Sequence, residues 1–393
     1  MKKTAPVLFV HHSNDLYGAD VMLLETVKGL DPEQFTPYVV LPDDCKAQGG
    51  LAAELEKAKI PYQFIPLAVI RRKYFKLGHF PTYCLEAVRA IGALRRIIRE
   101  QRIQIVHSNT LAVATGALAA RITGKKHIWH IHEILVSPKA VRKLLHFLAP
   151  RMSQAVICIS NAVRDHVLAD QPQQGGKLTV IYNGLSLDRF LAAHDGSAFR
   201  SEMGIPPHAP LAGMIGRINH WKGQQIFAQA AKLVLSKIPD AYFVAVGGIF
   251  ANERQSLDGL LAEIQQLGIS SRFLISDFRT DTPSVLASMD LYIHPSLSPE
   301  PFGLVVVEAM AAGKTVIATA HGGPLEIIEQ DSCGYLVEPG SASALANKII
   351  ESFENPDQVR SIGIRARERA VGIFSVSHYL EQVEALYKKV LQA

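Results

Sequence analysis

Short apolar, β-branched runs alternate along the chain with longer stretches whose apolar positions recur at helical spacing, the pattern of βα units that feed a parallel sheet. In the first half the runs predict strands at 7–11, 38–41, 62–66, 105–108, 127–132, 155–160 and 178–182. In the second half they predict strands at 211–215, 242–246, 273–276, 291–294, 315–318 and 335–337. One intervening helix, about 85–102, puts Leu85, Val88, Ile91, Leu94 and Ile98 on a single stripe, with Arg89, Arg96 and Arg99 outside it. Two doubly wound α/β domains in tandem follow from these two series. The turn-rich stretch 188–210, with His194-Asp-Gly196 and Pro206-Pro207, has the composition of a boundary.

Length supports this reading, since 393 residues exceed what one such domain needs. Hydrophobic residues at 48% and charged residues at 20% exclude disordered and low-complexity classes. Cys45, Cys84, Cys158 and Cys333 are widely spaced with no CxxC pair, which argues against a zinc ribbon or a disulfide framework and for a reducing compartment. Only Val7-Leu-Phe-Val10 follows Lys2 and Lys3, too short for a signal peptide, so a cytoplasmic location is expected. The net charge of +5 conceals an asymmetry: residues 1–190 carry 25 Lys/Arg against 15 Asp/Glu, and residues 191–393 carry 16 against 21. The basic half is the one expected to meet an anion.

Several familiar chemistries are missing. No GxGxxG follows the first run, where His11-His-Ser-Asn-Asp-Leu-Tyr-Gly18-Ala stands instead. Gly313-Lys314-Thr315 imitates the end of a P-loop, but Glu308 occupies the position of its first glycine. No DxD occurs, so the usual metal clamp for a sugar diphosphate is absent and no metal site is expected. No nucleic-acid module is recognisable, and nucleic acid is not expected as a partner.

The strongest signal is Glu300-Pro-Phe-Gly303-Leu-Val-Val-Val-Glu308, two carboxylates flanking a glycine turn and an apolar helix start. A helix beginning near Gly303 offers free N–H groups and a positive dipole end suited to a diphosphate. Spacing alone leaves both glutamates readable as solvated surface charges.

This segment resembles the E-x7-E signature of retaining glycosyltransferases of family 4, which have the GT-B architecture of two Rossmann-like domains facing across a cleft. Three further segments resemble that family in order: Val180-Ile-Tyr-Asn183-Gly184 with Asp188-Arg-Phe190, Gly216-Arg217-Ile-Asn-His-Trp-Lys222-Gly223, and Ala318-Thr-Ala-His-Gly322-Gly323-Pro-Leu-Glu326. His132-Glu133 is similar to the family's HD or HE pair, and Ile159-Ser160 opens the following helix. One departure is Tyr17-Gly18-Ala-Asp20, which keeps one glycine where the family usually has two and shortens the acid.

The resemblance implies an acceptor-side domain at 1–190, a nucleotide-sugar-binding domain at 191–375, and a C-terminal helix about 376–393 packing back on the first. It implies His132, Arg217, Lys222 and Glu300 as catalytic residues. Gly18, Gly216, Phe302, Gly303, Leu304 and Glu308 are implied as donor-binding. Arg217 and Lys222 would neutralise a diphosphate in place of a metal, a guanidinium fork beside a mobile ammonium. The expected activity is transfer of a hexosyl unit from a nucleotide diphosphate sugar to a hydroxyl of a glycan or lipid-linked acceptor, without a resident cofactor. A catalytically silent sugar-nucleotide-binding protein and a sugar-nucleotide epimerase are the alternatives on the same fold. The run Arg71, Arg72, Lys73, Tyr74, Phe75 and Lys76 is the stretch whose composition suits an anionic membrane surface.

Overall fold

The computed structural model describes residues 4–47, 49–71, 74, 80–249 and 254–393. It divides the chain into two compact units, Met1–Leu185 with Val376–Ala393, and Ser186–Ser375.

The first unit is built on a parallel sheet of β1 (Ala5–Val10), β2 (Phe35–Pro42), β3 (Tyr62–Ile65), β4 (Ile105–Asn109), β5 (Lys126–Ile131), β6 (Ala155–Cys158) and β7 (Leu178–Val180). Their order is β3-β2-β1-β4-β5-β6-β7. The register pairs Val10 of β1 with both Val40 and Ser108, so β1 is central, and Val7 through Val10 are fully buried. Such strands are apolar on both sides because helices cover both faces. The chain runs outward from β1 to β3, then returns to β4 on the other side of β1. The β1/β4 gap is therefore the point where strand order reverses, and ligands of open α/β sheets bind beyond the carboxyl ends there.

The helix predicted at 85–102 spans Phe80–Glu100, and its covered face keeps Leu94 and Ile98 of the predicted stripe but not Leu85 and Val88. Ala90, Leu94, Ile97 and Ile98 are buried, while Leu85 and Val88 are 53% and 68% exposed. The face is set by Tyr83, Ala87, Ala90, Leu94 and Ile97, a row that meets Val106, Ala119 and Ala120 in the same core. The small alanines permit close approach where the larger Leu85 and Val88 would hold the helix off.

The Val376–Gln392 helix closes this unit. Tyr379 shares a 2.6 Å hydroxyl contact with Thr26, Tyr387 reaches His107 Nδ1 at 2.6 Å, and Glu384 accepts from the Asp31 N–H at 2.8 Å. Tyr379 and Tyr387 are both buried, so each phenol carries its hydroxyl to a partner across the interface.

The second unit repeats the plan with β8 (Leu211–Ile215), β9 (Tyr242–Val246), β10 (Phe273–Ser276), β11 (Leu291–His294), β12 (Thr315–Thr319) and β13 (Tyr335–Val337), all parallel. Their order is β10-β9-β8-β11-β12-β13, so the reversal lies between β8 and β11. These strands pair only through Leu291 with Ala212 and Tyr292 with Gly213. Beyond that point the buried Tyr292 hydroxyl donates to the Ile215 carbonyl at 3.1 Å, holding the diverging ends. The core beneath joins Phe227, Phe243 and Phe273 with Ile293 and Ile317. Among the described residues no helix is long and apolar enough to cross a membrane.

Replacing Tyr387 by Phe leaves His107 Nδ1 without its phenol partner in a buried core. The expected cost is about 1–3 kcal/mol, read as a lower urea midpoint for the first unit. An unchanged midpoint would show that the contact adds nothing to the closure.

Candidate functional site

In the second unit the residues singled out by sequence collect on loops beyond β8 and β11. Gly216 and Arg217 follow β8 directly, and the Gly216 N–H donates to Val246 O at 2.9 Å. A Cβ at Gly247 would lie 2.0 Å from the Gly216 carbonyl oxygen, so a glycine is required for the β9 end to lie this close. The turn that follows is ordered by Asn219, whose Oδ1 accepts from the Trp221 and Lys222 N–H groups at 3.3 and 3.0 Å. Gly223 has φ +79°, and a Cβ there would meet the Pro295 carbonyl oxygen at 1.9 Å. The turn after β8 is thereby pressed against the end of β11.

That approach brings Lys222 to Glu300. Nζ donates to Oε2 at 2.9 Å and Oε1 at 3.1 Å, and both side chains are only 13% exposed. Ser296 Oγ donates to Oε2 at 3.2 Å, and His294 Nε2 lies 3.5 Å away. Burial alone would raise the Glu300 pKa. The Lys222 charge and the His294 contact outweigh it and hold the carboxyl well below its usual range.

Glu308 has the opposite environment. It sits on the Leu304–Ala311 helix, and burial pushes its carboxyl up to about 7, opposed by Arg189, whose Nη2 is 3.7 Å from Oε1. Arg189 belongs to the Asp188-Arg-Phe190 segment, which was singled out for its flanking residues. The sequence reading gave Arg189, His294 and Ser296 no role, although all three lie inside or beside matched segments.

The Glu300–Gly303 loop is held by the glycine pair. Gly323 N–H donates to Glu300 O at 2.7 Å, and a Cβ at Gly322 or Gly323 would lie 2.3 Å from Glu300 O or 2.0 Å from Phe302 O. The Phe302 ring is buried against Phe374 at 5.7 Å, so its side chain anchors the loop from beneath and only its backbone remains for a ligand. Gly303 caps the helix with φ +116°, and the N–H of Leu304 stands at the helix start.

In the first unit His132 lies immediately after β5 and is 9% exposed. Burial drives its pKa well below the ordinary imidazole range, so the ring is neutral. Glu133 accepts from the Leu111 and His132 N–H groups, each at 2.9 Å. Burial still pushes its carboxyl up to about 7. Gly18 opens the Gly18–Gly29 helix and is exposed. Of the basic run at 71–76, only Arg71 and Tyr74 fall within the described residues. Arg71 pairs with Asp44 at 2.8 Å, and Tyr74 bonds to Glu86. Among the described residues no group of three or more His, Cys, Asp or Glu is placed to hold a metal.

Two family models match in tandem: residues 17–189 match the one described as Glycosyltransferase Family 4, and residues 197–369 match the one described as Glycosyl transferases group 1. The chain is 24% identical over 394 residues to the UDP-Gal:alpha-D-GlcNAc-diphosphoundecaprenol alpha-1,3-galactosyltransferase of Escherichia coli, a match covering 94% of this chain and 96% of that protein. It is 27% identical over 417 residues to the D-inositol 3-phosphate glycosyltransferase of Nocardia farcinica, covering 98% and 89%. Among solved structures, HepE of Anabaena in complex with UDP and glucose superposes with a TM-score of 0.83 at 27% identity, covering 98% of this chain and 100% of that one. A glycosyltransferase of Rickettsia africae superposes with a TM-score of 0.85 at 25% identity, covering 99% of each.

Lys222→Met strands the Glu300 carboxyl, and the second unit should lose about 3 kcal/mol, the low end for a broken buried pair because Ser296 and His294 remain. The pH dependence also changes sign. In the parent Glu300 contributes stability above its unfolded pKa, which is lost as pH falls through the depressed folded value. In the variant burial raises the folded pKa, so stability falls as pH rises above the unfolded value. Urea midpoints measured from pH 4 to 8 test this, and parallel curves for the two proteins would contradict it.

Proposed function

The chain belongs to glycosyltransferase family 4, in the two-unit GT-B form, and from that premise we propose a retaining, metal-independent hexosyltransferase that takes a nucleoside diphosphate hexose and glycosylates a hydroxyl of a lipid-linked or cell-surface glycan precursor. The observation that carries this reading is the Lys222–Glu300 pair beyond the β8/β11 reversal. A cation and a carboxylate are held there in contact, each able to exchange its partner for part of a donor.

In this reading the diphosphate draws Lys222 away from Glu300 and is shared with Arg217. The N–H groups of Gly303 and Leu304 add fixed donors where charge develops, and Gly216, without a side chain, leaves the backbone after β8 open to the diphosphate. The released Glu300 carboxylate then accepts from hydroxyls of the sugar. Glu308 accepts from the ribose hydroxyls, which take over from Arg189, and the Phe302 backbone completes the loop. His132, with Gly18 on the same unit, serves the transferred sugar and the acceptor. The acceptor oxygen bonds to the anomeric carbon as the bond to the diphosphate breaks, on the same face. The leaving phosphate oxygen takes the acceptor proton. No side chain forms a covalent intermediate, so catalysis is by positioning and electrostatics.

Support for metal independence is the presence of two cations, Arg217 and Lys222, in the segment after β8 that this reading assigns to the diphosphate. Support for the substrate classes comes from the relatives: HepE was crystallised with UDP and glucose, and the E. coli relative is named for a UDP-galactose donor and a diphosphoundecaprenol acceptor. A peripheral membrane position fits the basic run at 71–76. It also fits the exposed Leu85 and Val88, which share their helix with the 67% exposed Arg96.

Transfer from a UDP-hexose panel should give a product that keeps the donor's anomeric configuration and should persist in excess chelator. Arg217→Ala should lower turnover at least tenfold to hundredfold through loss of a charge-assisted contact. An inverted product, or loss of activity in chelator with rescue by magnesium or manganese, would overturn the mechanism. For the membrane position, vesicles of graded anionic lipid content should sediment the parent but not the variant with Arg71, Arg72, Lys73 and Lys76 changed to Ser. Equal sedimentation of both would remove that role.

A further inference from the structure

Beyond β1 and β4 of the first unit, a continuous line of buried polar side chains leads to His132. His132 Nε2 lies 3.1 Å from Asn109 Oδ1, and Asn109 Nδ2 lies 3.1 Å from His11 Nδ1. His11 Nε2 lies 2.9 Å from Asp20 Oδ1, which also accepts from Ser13 Oγ at 2.6 Å. His11, Ser13, Asp20, Asn109 and His132 are all buried. None of Asp20, His11 and Asn109 has a part in the function proposed above.

The line has a direction, and two acceptors that cannot donate set it. Asp20 is ionised: burial would raise its pKa, but the bonds from His11 and Ser13 outweigh this and lower it to about 2. His11 Nε2 must therefore carry the proton that faces it. The Ala19 carbonyl, 3.2 Å from Asn109 Nδ2, independently requires that this end of the amide be the NH2. The amide then donates to His11 Nδ1, whose other neighbour, the Asn109 carbonyl, is farther at 3.3 Å. With its NH2 so committed, Asn109 offers only Oδ1 to His132, and an oxygen facing the neutral ring demands Nε2–H. The other nitrogen of His132, Nδ1, makes no hydrogen bond to a described residue and keeps contact with solvent, whereas Nε2 of the neighbouring His130 is sealed.

We infer that Asp20, His11 and Asn109 are positioning residues that fix His132 as the Nε2–H tautomer and present its Nδ1 as a hydrogen-bond acceptor to a hydroxyl of the transferred sugar. The substrate part of this statement rests on the proposed function, and the tautomer part does not. Asp20 has a second duty that explains its place on the helix: Oδ2 accepts from the Tyr17 N–H at 3.1 Å, so one carboxylate caps the Gly18–Gly29 helix and starts the line. The shortened acid in the Tyr17-Gly18-Ala-Asp20 segment thus sets the His11 end of the line, and the Ala19 carbonyl beside it sets the amide. A neutral imidazole in a fixed tautomer accepts or donates at a given atom, never both, so the line decides which substrate hydroxyl geometry is accepted.

The test is nitrogen NMR on full-length protein labelled at histidine, with His132→Gln used to assign the ring. The parent should show His132 with a protonated Nε2 and a bare Nδ1. Asp20→Asn can present its own amide NH2 to His11, which should turn His11 to the Nδ1–H tautomer facing the Asn109 backbone carbonyl while the Ala19 carbonyl still holds the Asn109 amide. Asn109→Ala cuts the line and should move the His132 signals toward a mixture or toward Nδ1–H. The corresponding kinetic result is a fall in kcat of roughly tenfold or more, with UDP affinity unchanged because the groups assigned to the nucleotide lie in the second unit. A cooperative urea transition of the first unit reports that each variant is folded. A parent His132 protonated at Nδ1, His132 signals unmoved in Asn109→Ala, or a His11 tautomer unchanged in Asp20→Asn would overturn the inference. If the parent transfers no sugar from any donor while the tautomer behaves as stated, the functional reading fails and the relay stands.

Discussion

A carboxylate held at the end of a parallel sheet and nearly shut off from water must take up a proton or find a cation, and Glu300 finds Lys222. Much of the second unit serves that meeting. The two residues are 78 positions apart, on loops that follow different strands, and the strands stand side by side only because the chain reverses direction across the sheet between β8 and β11. Glu308, eight residues further on, lacks such a cation at hydrogen-bonding distance, and its pKa moves the other way. Two carboxylates of one motif are thus prepared for different work by what stands beside them. One stays charged, and the other sits near the balance point for ionisation.

Glycines make the meeting possible. Gly223 lets the turn after β8 lie on the Pro295 carbonyl, and Gly322 and Gly323 let a second loop close on the backbone of Glu300 and Phe302. In each case a Cβ would fall on main-chain oxygen, which cannot swing aside as a flexible side chain can. The glycine pair therefore supports the Glu300–Gly303 loop from behind, and the buried Phe302 ring does the same from beneath. The first unit solves a similar problem with hydrogen bonds. His11 at the end of β1 and Asn109 at the end of β4 meet across the reversal point and carry the orientation set by Asp20 to His132.

Much of the fold is legible in the chain because buried parallel strands are short, apolar and β-branched. The strands of the second unit at 211–215, 242–246, 273–276, 291–294 and 335–337 fall where that pattern puts them. The 80–100 helix shows the limit. Its apolar residues form two overlapping rows, and periodicity could not tell that the alanine-rich row would be covered while Leu85 and Val88 faced solvent. The decision came from the neighbouring helix and β4, partners that lie elsewhere in the chain. Resemblance to a family picked out Glu300, Glu308, Arg217 and Lys222, but not the other groups that touch the two carboxylates. Arg189, His294 and Ser296 acquire meaning only through distance to a carboxylate, and the link from His11 to Asn109 spans 98 residues with no local pattern to announce it.

The central claim is that the Lys222–Glu300 pair is a clamp whose cation changes partner when a diphosphate arrives. Calorimetric affinity for UDP alone, without sugar, separates the two members of the pair. Lys222→Ala should weaken UDP binding by roughly tenfold or more, whereas Glu300→Gln, which frees the ammonium, should bind UDP as tightly as the parent or more tightly. Equal loss of UDP affinity in both variants, or parent-like affinity in Lys222→Ala, would contradict the account.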